Sequence, residues 1–205
     1  MSAHQEETEF FDSIYREASG NPAAIPWADM EPTSLLDRWL TESGTAPGSA
    51  IVVGCGLGDD AEALAGAGWR VTAFDLSPTA IGWCRERFPD SKVDYQVQDL
   101  SDTPASWKGA FNLVMEARTI QSFPPEQQAE VIGWISALVA AGGRLLVAAI
   151  GHRGEPREIG PPWPVAEAAL DAFLTAGLSL HEFSAHPSPW DGFEFFELEY
   201  QRSQG

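Results

Sequence analysis

The segment Val53-Gly54-Cys55-Gly56-Leu57-Gly58-Asp59 constrains this chain more than any other. It follows the short apolar run SAIVV at 49–53 and precedes DDAEALAGAG at 59–68, which has helical spacing and closes on glycine. Glycines at alternate positions let the backbone turn sharply and let a ligand approach the main chain closely. The helix that opens next offers N–H groups with no partner inside the helix. A run of this kind reads as a buried parallel strand feeding a helix.

The same alternation continues along the chain. RVTAFD at 70–75 is a second strand. SPTAIGWCRERF is a helix, with Ser77 as its N-cap and Pro78 at its first position. KVDYQVQD at 92–99 and FNLVME at 111–116 are the third and fourth strands, and RLLVAAI at 144–150 the fifth. Between the last two, PPEQQAEVIGWISALVAAGG at 124–143 reads as a long helix closed by glycine. PVAEAALDAFLTAG at 164–177 reads as another helix. LSLHEFSA and FEFFELEYQ follow as strands joined by the turn-rich HPSPWDG, and so form an antiparallel hairpin at a sheet edge. The pattern predicts an α/β fold: a Rossmann-like, doubly wound, seven-stranded mixed sheet with helices on both faces. Residues 1–48 fall outside it. They hold one helix at about 6–18, a link broken by Pro22, Pro26 and Pro32, and a second helix at 32–44, read together as an N-terminal helical lid. The expected organisation is a single domain over 1–205, with the lid at 1–48, a cofactor-binding core at 49–150, and an acceptor loop, helix and hairpin at 151–205.

Two carboxylates fall where this architecture uses them. Asp75 ends the second strand, 17 positions after Gly58, where a carboxylate accepts from ribose hydroxyls. Asp99 ends the third strand. Both point to a nucleoside-bearing cofactor at the carboxyl ends of the strands. A dinucleotide fingerprint would carry its third glycine at position 59, which is Asp59. An acidic residue there suits a pyrophosphate poorly, whereas a compact G-x-G-x-G turn suits a ligand without phosphates, such as S-adenosylmethionine.

The segments VVGCGLGDDAEALA, VTAFDLSPTAI, YQVQDL and FNLVMEARTI together resemble the class I S-adenosylmethionine-dependent methyltransferases. The resemblance implies that Gly54, Gly56 and Gly58, with Cys55 between them, contact the methionine part of the cofactor. It implies that Asp75, with Leu76, holds the ribose, and that Asp99, with Leu100, reaches the adenine amino group. Glu116 would bind the cofactor's ammonium, or else cap the following turn with Arg118 as its partner. Val53 departs from the family, which often has an acidic residue there. A narrower resemblance, carried by PWADMEPTSLLDRWL and GPPWPVAEAALDAF, is to the thiopurine and thiol or halide methyltransferase group. It implies that Trp27 lines the site, and that Gly160, Pro161, Pro162 and Trp163 follow a loop covering the methyl acceptor.

The expected function is methyl transfer from S-adenosylmethionine, with S-adenosylhomocysteine as product, to a small-molecule thiol or other soft nucleophile. A thiolate needs no strong base, whereas a hydroxyl or amine benefits from one. The alternatives are an O- or N-methyltransferase and a cofactor-binding protein without catalysis. His152, just after the fifth strand, is the best candidate base, or else a surface-loop histidine. Arg118, Arg153 and Arg157 could favour an anion, unless the two loop arginines pair with Glu155 and Glu158. Trp163 and Trp190 lie in loops near the open end, either facing the methyl acceptor or purely structural, and Trp39, Trp69, Trp83 and Trp134 are placed in the core. With 12 basic against 30 acidic residues, a net charge of −18 leaves no basic face for nucleic acid or an anionic membrane. No stretch approaches the roughly 20 apolar residues of a membrane span, and the N-terminus does not resemble a signal peptide. Cys55 and Cys84 make neither a disulfide framework nor a four-ligand zinc site, so no metal is expected. The expectation is a cytoplasmic monomer or homodimer.

Overall fold

Four apolar residues in a row after Ser49 require cover on both sides, and β1 (Ser49–Val53) is buried along its whole length. In this computed structural model residues 3–154 and 160–205 are described, with side chains from Glu9 onward. Parallel neighbours flank β1: β2 (Arg70–Asp75) on one side and β4 (Phe111–Ala117) on the other. β3 (Asp94–Val97) extends the sheet beyond β2, and β5 (Val139–His152) beyond β4. β7 (Leu178–Pro187) and β8 (Glu194–Arg202) form the expected edge hairpin, with β8 antiparallel to β5. The order is β3-β2-β1-β4-β5-β8-β7, and a two-residue strand, β6 (Val165–Ala166), pairs with the end of β5.

Alternate residues of the central strands feed two cores. Ala50, Val52, Leu113 and Met115 pack with Leu36 and Trp39 of α2 (Ser34–Glu42), Leu64 of α3 (Asp59–Gly66) and Ile81 of α4 (Pro78–Arg87). Ile51, Val53 and Val114 pack on the other face with Ile132 and Ile135 of α5 (Pro125–Leu138) and Phe173 of α6 (Asp171–Thr175). A small third cluster joins Tyr15 of α1 (Ala3–Ala18) to Ile25, Leu57 and Ala80. None of the described helices is long and apolar enough to cross a membrane.

Two elements differ from the sequence reading. α5 stops at Leu138, and the residues expected to close it instead open β5, where Val139 pairs with Phe111 before the register shifts. The glycine pair serves that irregularity. Gly142 has φ +73, and a Cβ on Gly143 would fall 2.9 Å from the carbonyl oxygens of Phe111 and Ala140. Glycine is the residue a bulge of this kind tolerates. Residues 164–177 do not form one helix either. Val165 and Ala166 are captured by the exposed end of β5, opposite Gly151 and His152, leaving a 3-10 turn and the short α6.

Candidate active site

Strand order reverses between β1 and β4, and a cavity of about 930 Å³ opens at the carboxyl ends of the strands there. Such a switch point is where open α/β sheets take ligands. Gly54, Asp75, Leu76, Asp99 and Leu100 line the half above β1–β3. Ala117, Arg118, Thr119, Gln121 and Ile150 line the half above β4 and β5. Phe10, Phe11, Ile14 and Tyr15 of α1 cover the mouth together with Trp27.

The glycine turn is built for close approach. Gly54, Gly56 and Gly58 have φ of +57, +53 and +89. A side chain on Gly54 would overlap Thr119 Oγ1, which donates to the carbonyl of Val53 at 3.1 Å. Gly54 is on the cavity wall, whereas Cys55, Gly56 and Gly58 are not among the lining residues. The Asp75 carboxylate braces the turn, accepting from the N–H of Gly56 and of Ser77 at 2.9 Å each. Burial raises its pKa, and those N–H donors oppose the rise. Asp59, where a third fingerprint glycine would stand, forms a bidentate pair with Arg87 at 2.8 and 3.0 Å. Asp99 accepts from the N–H of Ser101 at 2.7 Å.

The lid is anchored by a residue that the sequence reading missed. Asp12 of α1 accepts from Ser77 Oγ at 2.6 Å and from the N–H of Thr79 at 3.0 Å. Ser77 is the N-cap of α4, so the carboxylate sits at the positive end of that helix. Burial pushes the Asp12 pKa up, but the bonds from Ser77 and Thr79 and the nearby Arg16 outweigh it and leave the pKa lowered. Its stabilisation is therefore present at neutral pH and fades only as pH falls below the ordinary 3.8. Asp12→Ala is expected to release α1, and tryptic cleavage at Arg16 should quicken about tenfold or more. An unchanged cleavage rate would contradict the anchoring.

Several candidate residues are placed differently from expectation. Arg118, in the left-handed region at φ +67, donates to the carbonyl of Trp27 at 3.1 Å and to Asp29 at 2.7 Å. It ties down the 27–29 segment. Trp27 itself lines the cavity and donates through Nε1 to Tyr15 Oη at 2.8 Å. His152 is 7% exposed, with Nδ1 3.1 Å from the carbonyl of Gly154, and is not on the cavity wall. Arg157, with Glu155 and Glu158, lies outside the described residues. Arg153 pairs with Glu167 and Glu194. Trp163 is not on the wall, because its ring lies against Gly160. Trp190 lines the cavity, and so does Trp134, which also packs against the core as expected.

Glu116 is also off the wall and fully buried. Its Oε1 accepts from the N–H of Thr119 at 2.6 Å and of Ile120 at 3.1 Å, capping the turn after β4, while its Oε2 has no partner among the described residues. Arg118 is not its partner. Burial pushes its pKa from 4.5 to about 7 against those two N–H donors. A carboxyl that holds its proton more tightly when folded stabilises most at low pH. The contribution is full below about pH 4.5 and is lost as pH rises through about 7, on the order of 3 kcal/mol. Urea midpoints between pH 4.5 and 8 should fall accordingly, and Glu116→Gln should flatten this part of the curve. An unaltered slope in the variant would contradict the assignment.

The chain is similar to known proteins. Residues 50–143 match the family described as "Methyltransferase domain". Over 161 residues the chain is 28% identical to a probable thiol methyltransferase 2 of Arabidopsis thaliana, covering 77% of this chain and 70% of that protein. The chain carries a methyltransferase domain over residues 50–143. The chain is also 31% identical over 137 residues to a ubiquinone biosynthesis O-methyltransferase of Thiobacillus denitrificans, spanning 65% of this chain and 57% of that protein. Its fold matches the 1,6-didemethyltoxoflavin-N1-methyltransferase of Burkholderia thailandensis, a structure with bound 1,6-didemethyltoxoflavin and S-adenosylhomocysteine. The TM-score is 0.75 at 18% identity, covering 99% of this chain and 92% of that one.

Proposed function

We propose that the methyltransferase methylates sulfur, or another soft nucleophile, on a small apolar molecule. The observation that carries this reading is the wall above β4 and β5. Phe123, Trp134, Ile150, Pro161, Pro162 and Trp190 line it, and no described Asp, Glu, His or Lys side chain joins them there. Arg118, the cation nearest in sequence, is engaged by Asp29. A thiol ionises near pH 8.5 unaided, so it reacts without a base in the wall.

S-adenosylmethionine, when bound, supplies an activated methyl group on a sulfonium. The chain's contribution is position and dryness. Asp75 would accept from the ribose hydroxyls, Asp99 would reach the adenine amino group, and Leu76 and Leu100 would flank the nucleoside. Gly54 lets the methionine part lie against the main chain. Trp27 and Tyr15 close over the mouth and exclude water. The likeness to a thiol methyltransferase supports the same reading.

O-methylation, the activity named for the ubiquinone relatives, is the second reading. It requires a base that the described wall lacks. The test follows S-adenosylhomocysteine formation with an aromatic thiol, hydrosulfide, iodide, a catechol and an aromatic amine. Turnover is expected on the sulfur compounds and iodide, with a pH profile that His152→Ala leaves unchanged. Turnover on the catechol or amine alone would overturn the proposal.

A further inference from the structure

Gln121 is a polar residue, 3% exposed, in a wall where Arg118, Thr119, Ser122 and Gln127 are set among rings and aliphatic carbons. Its side-chain oxygen is committed: the N–H of Ile150 donates to Oε1 at 2.7 Å. Its main-chain carbonyl is committed too, accepting from the N–H of Trp163 at 2.7 Å. These bonds fix the side chain between the end of β5 and the segment carrying Pro161, Pro162 and Pro164. They also fix which way the amide faces, because an oxygen must meet the Ile150 N–H. The Nε2 group is left with two N–H donors and no partner among the described residues, beside the cavity that the residue lines. The Nε2 atom is not sealed from the cavity, so a ligand or water takes up its donors when the chamber fills, and leaving them unmade beneath an apolar ligand is costly.

We propose that Gln121 Nε2 is the group that selects the methyl acceptor, donating a hydrogen bond to an uncharged lone pair carried on a flat aromatic frame. This rests on the reading of the β4–β5 half of the cavity as the methyl-acceptor chamber. The rings of Phe123, Trp134 and Trp190 supply non-directional contact with any aromatic molecule. Gln121 supplies direction. A ring nitrogen or carbonyl oxygen satisfies the donor. A hydrocarbon of the same shape strands it, and so does a cation that has no lone pair to offer.

The test uses binding, not turnover, so it does not depend on which atom is methylated. Quinoline and isoquinoline are compared with naphthalene, which has the same shape and no lone pair, at pH 8 on protein saturated with S-adenosylhomocysteine. Titration calorimetry or tryptophan fluorescence reads the dissociation constants. The wild type is expected to favour at least one azanaphthalene over naphthalene by about tenfold. Gln121→Leu should remove that preference and keep naphthalene binding. Gln121→Glu retains an oxygen for the Ile150 N–H and loses the donor, so it should turn the preference against the ring nitrogen even if the leucine variant folds poorly. Equal binding of all three compounds by the wild type, or a preference that survives Gln121→Glu, would overturn the role of Gln121. Failure of every compound to bind would instead overturn the chamber reading beneath it.

Discussion

Asp75→Asn is expected to weaken S-adenosylmethionine binding about 100-fold, or about 2.7 kcal/mol. The carboxylate accepts one N–H on each oxygen, from Gly56 on one side and Ser77 on the other. An amide offers one acceptor and one donor, so either the Gly56 or the Ser77 N–H would face another N–H. A hydrogen bond to a charged group contributes about 1.5–3 kcal/mol, and the proposed ribose contact weakens in the same step. Calorimetry with S-adenosylmethionine and S-adenosylhomocysteine reads the loss. A thermal melt without ligand separates damage to the glycine turn from loss of the ribose contact. Unchanged affinity would remove Asp75 from the cofactor site.

Gly58→Val is expected to cost about 3–5 kcal/mol of stability, combining a left-handed backbone with overpacking. Gly58 has φ +89, and its new Cβ would lie 2.6 Å from Tyr95 Oη and 3.1 Å from Cys84 Sγ. Neither neighbour yields easily. Tyr95 Oη donates to Glu62 at 2.7 Å, and Cys84 is fully buried and donates to the carbonyl of Gly56 at 3.2 Å. In a domain of this size the melting temperature should fall by about 10 °C or more. Gly20→Ala supplies the control. Gly20 has a similar φ of +83 but nothing within 4 Å of the added carbon, so only the backbone strain of about 1–2 kcal/mol remains. Equal effects from the two substitutions would mean that packing against Tyr95 contributes nothing.

The parts of the fold legible in the sequence are those set by local rules. The fully buried β1, the glycine turn, the Ser77 cap and the closing hairpin each follow from a short stretch of chain, and each is present. The parts that were not legible depend on partners far away in sequence. Val139 leaves its helix because Phe111 offers a strand partner, and Val165 leaves its helix because β5 has an open end. The same holds at the candidate site. Glycines and strand-end carboxylates carry a local signature, and Gly54, Asp75 and Asp99 were singled out from it. Asp12 reads as one more acid on a solvated helix until α1 packs on α4. Gln121 reads as a loop residue until Ile150 comes to donate to it. His152 is suggested by its position after the fifth strand and Glu116 by the family resemblance, and burial takes both off the cavity wall.

The central claim is methyl transfer to sulfur in this cavity, and one molecule with two competing nucleophiles tests it most directly. 4-Mercaptophenol carries a thiol and a hydroxyl on the same ring. Incubated with the protein and S-adenosylmethionine bearing a deuterated methyl group, it should yield S-adenosylhomocysteine and a product labelled on sulfur, identified by mass spectrometry and NMR. A product labelled on oxygen, with sulfur untouched, would contradict the account.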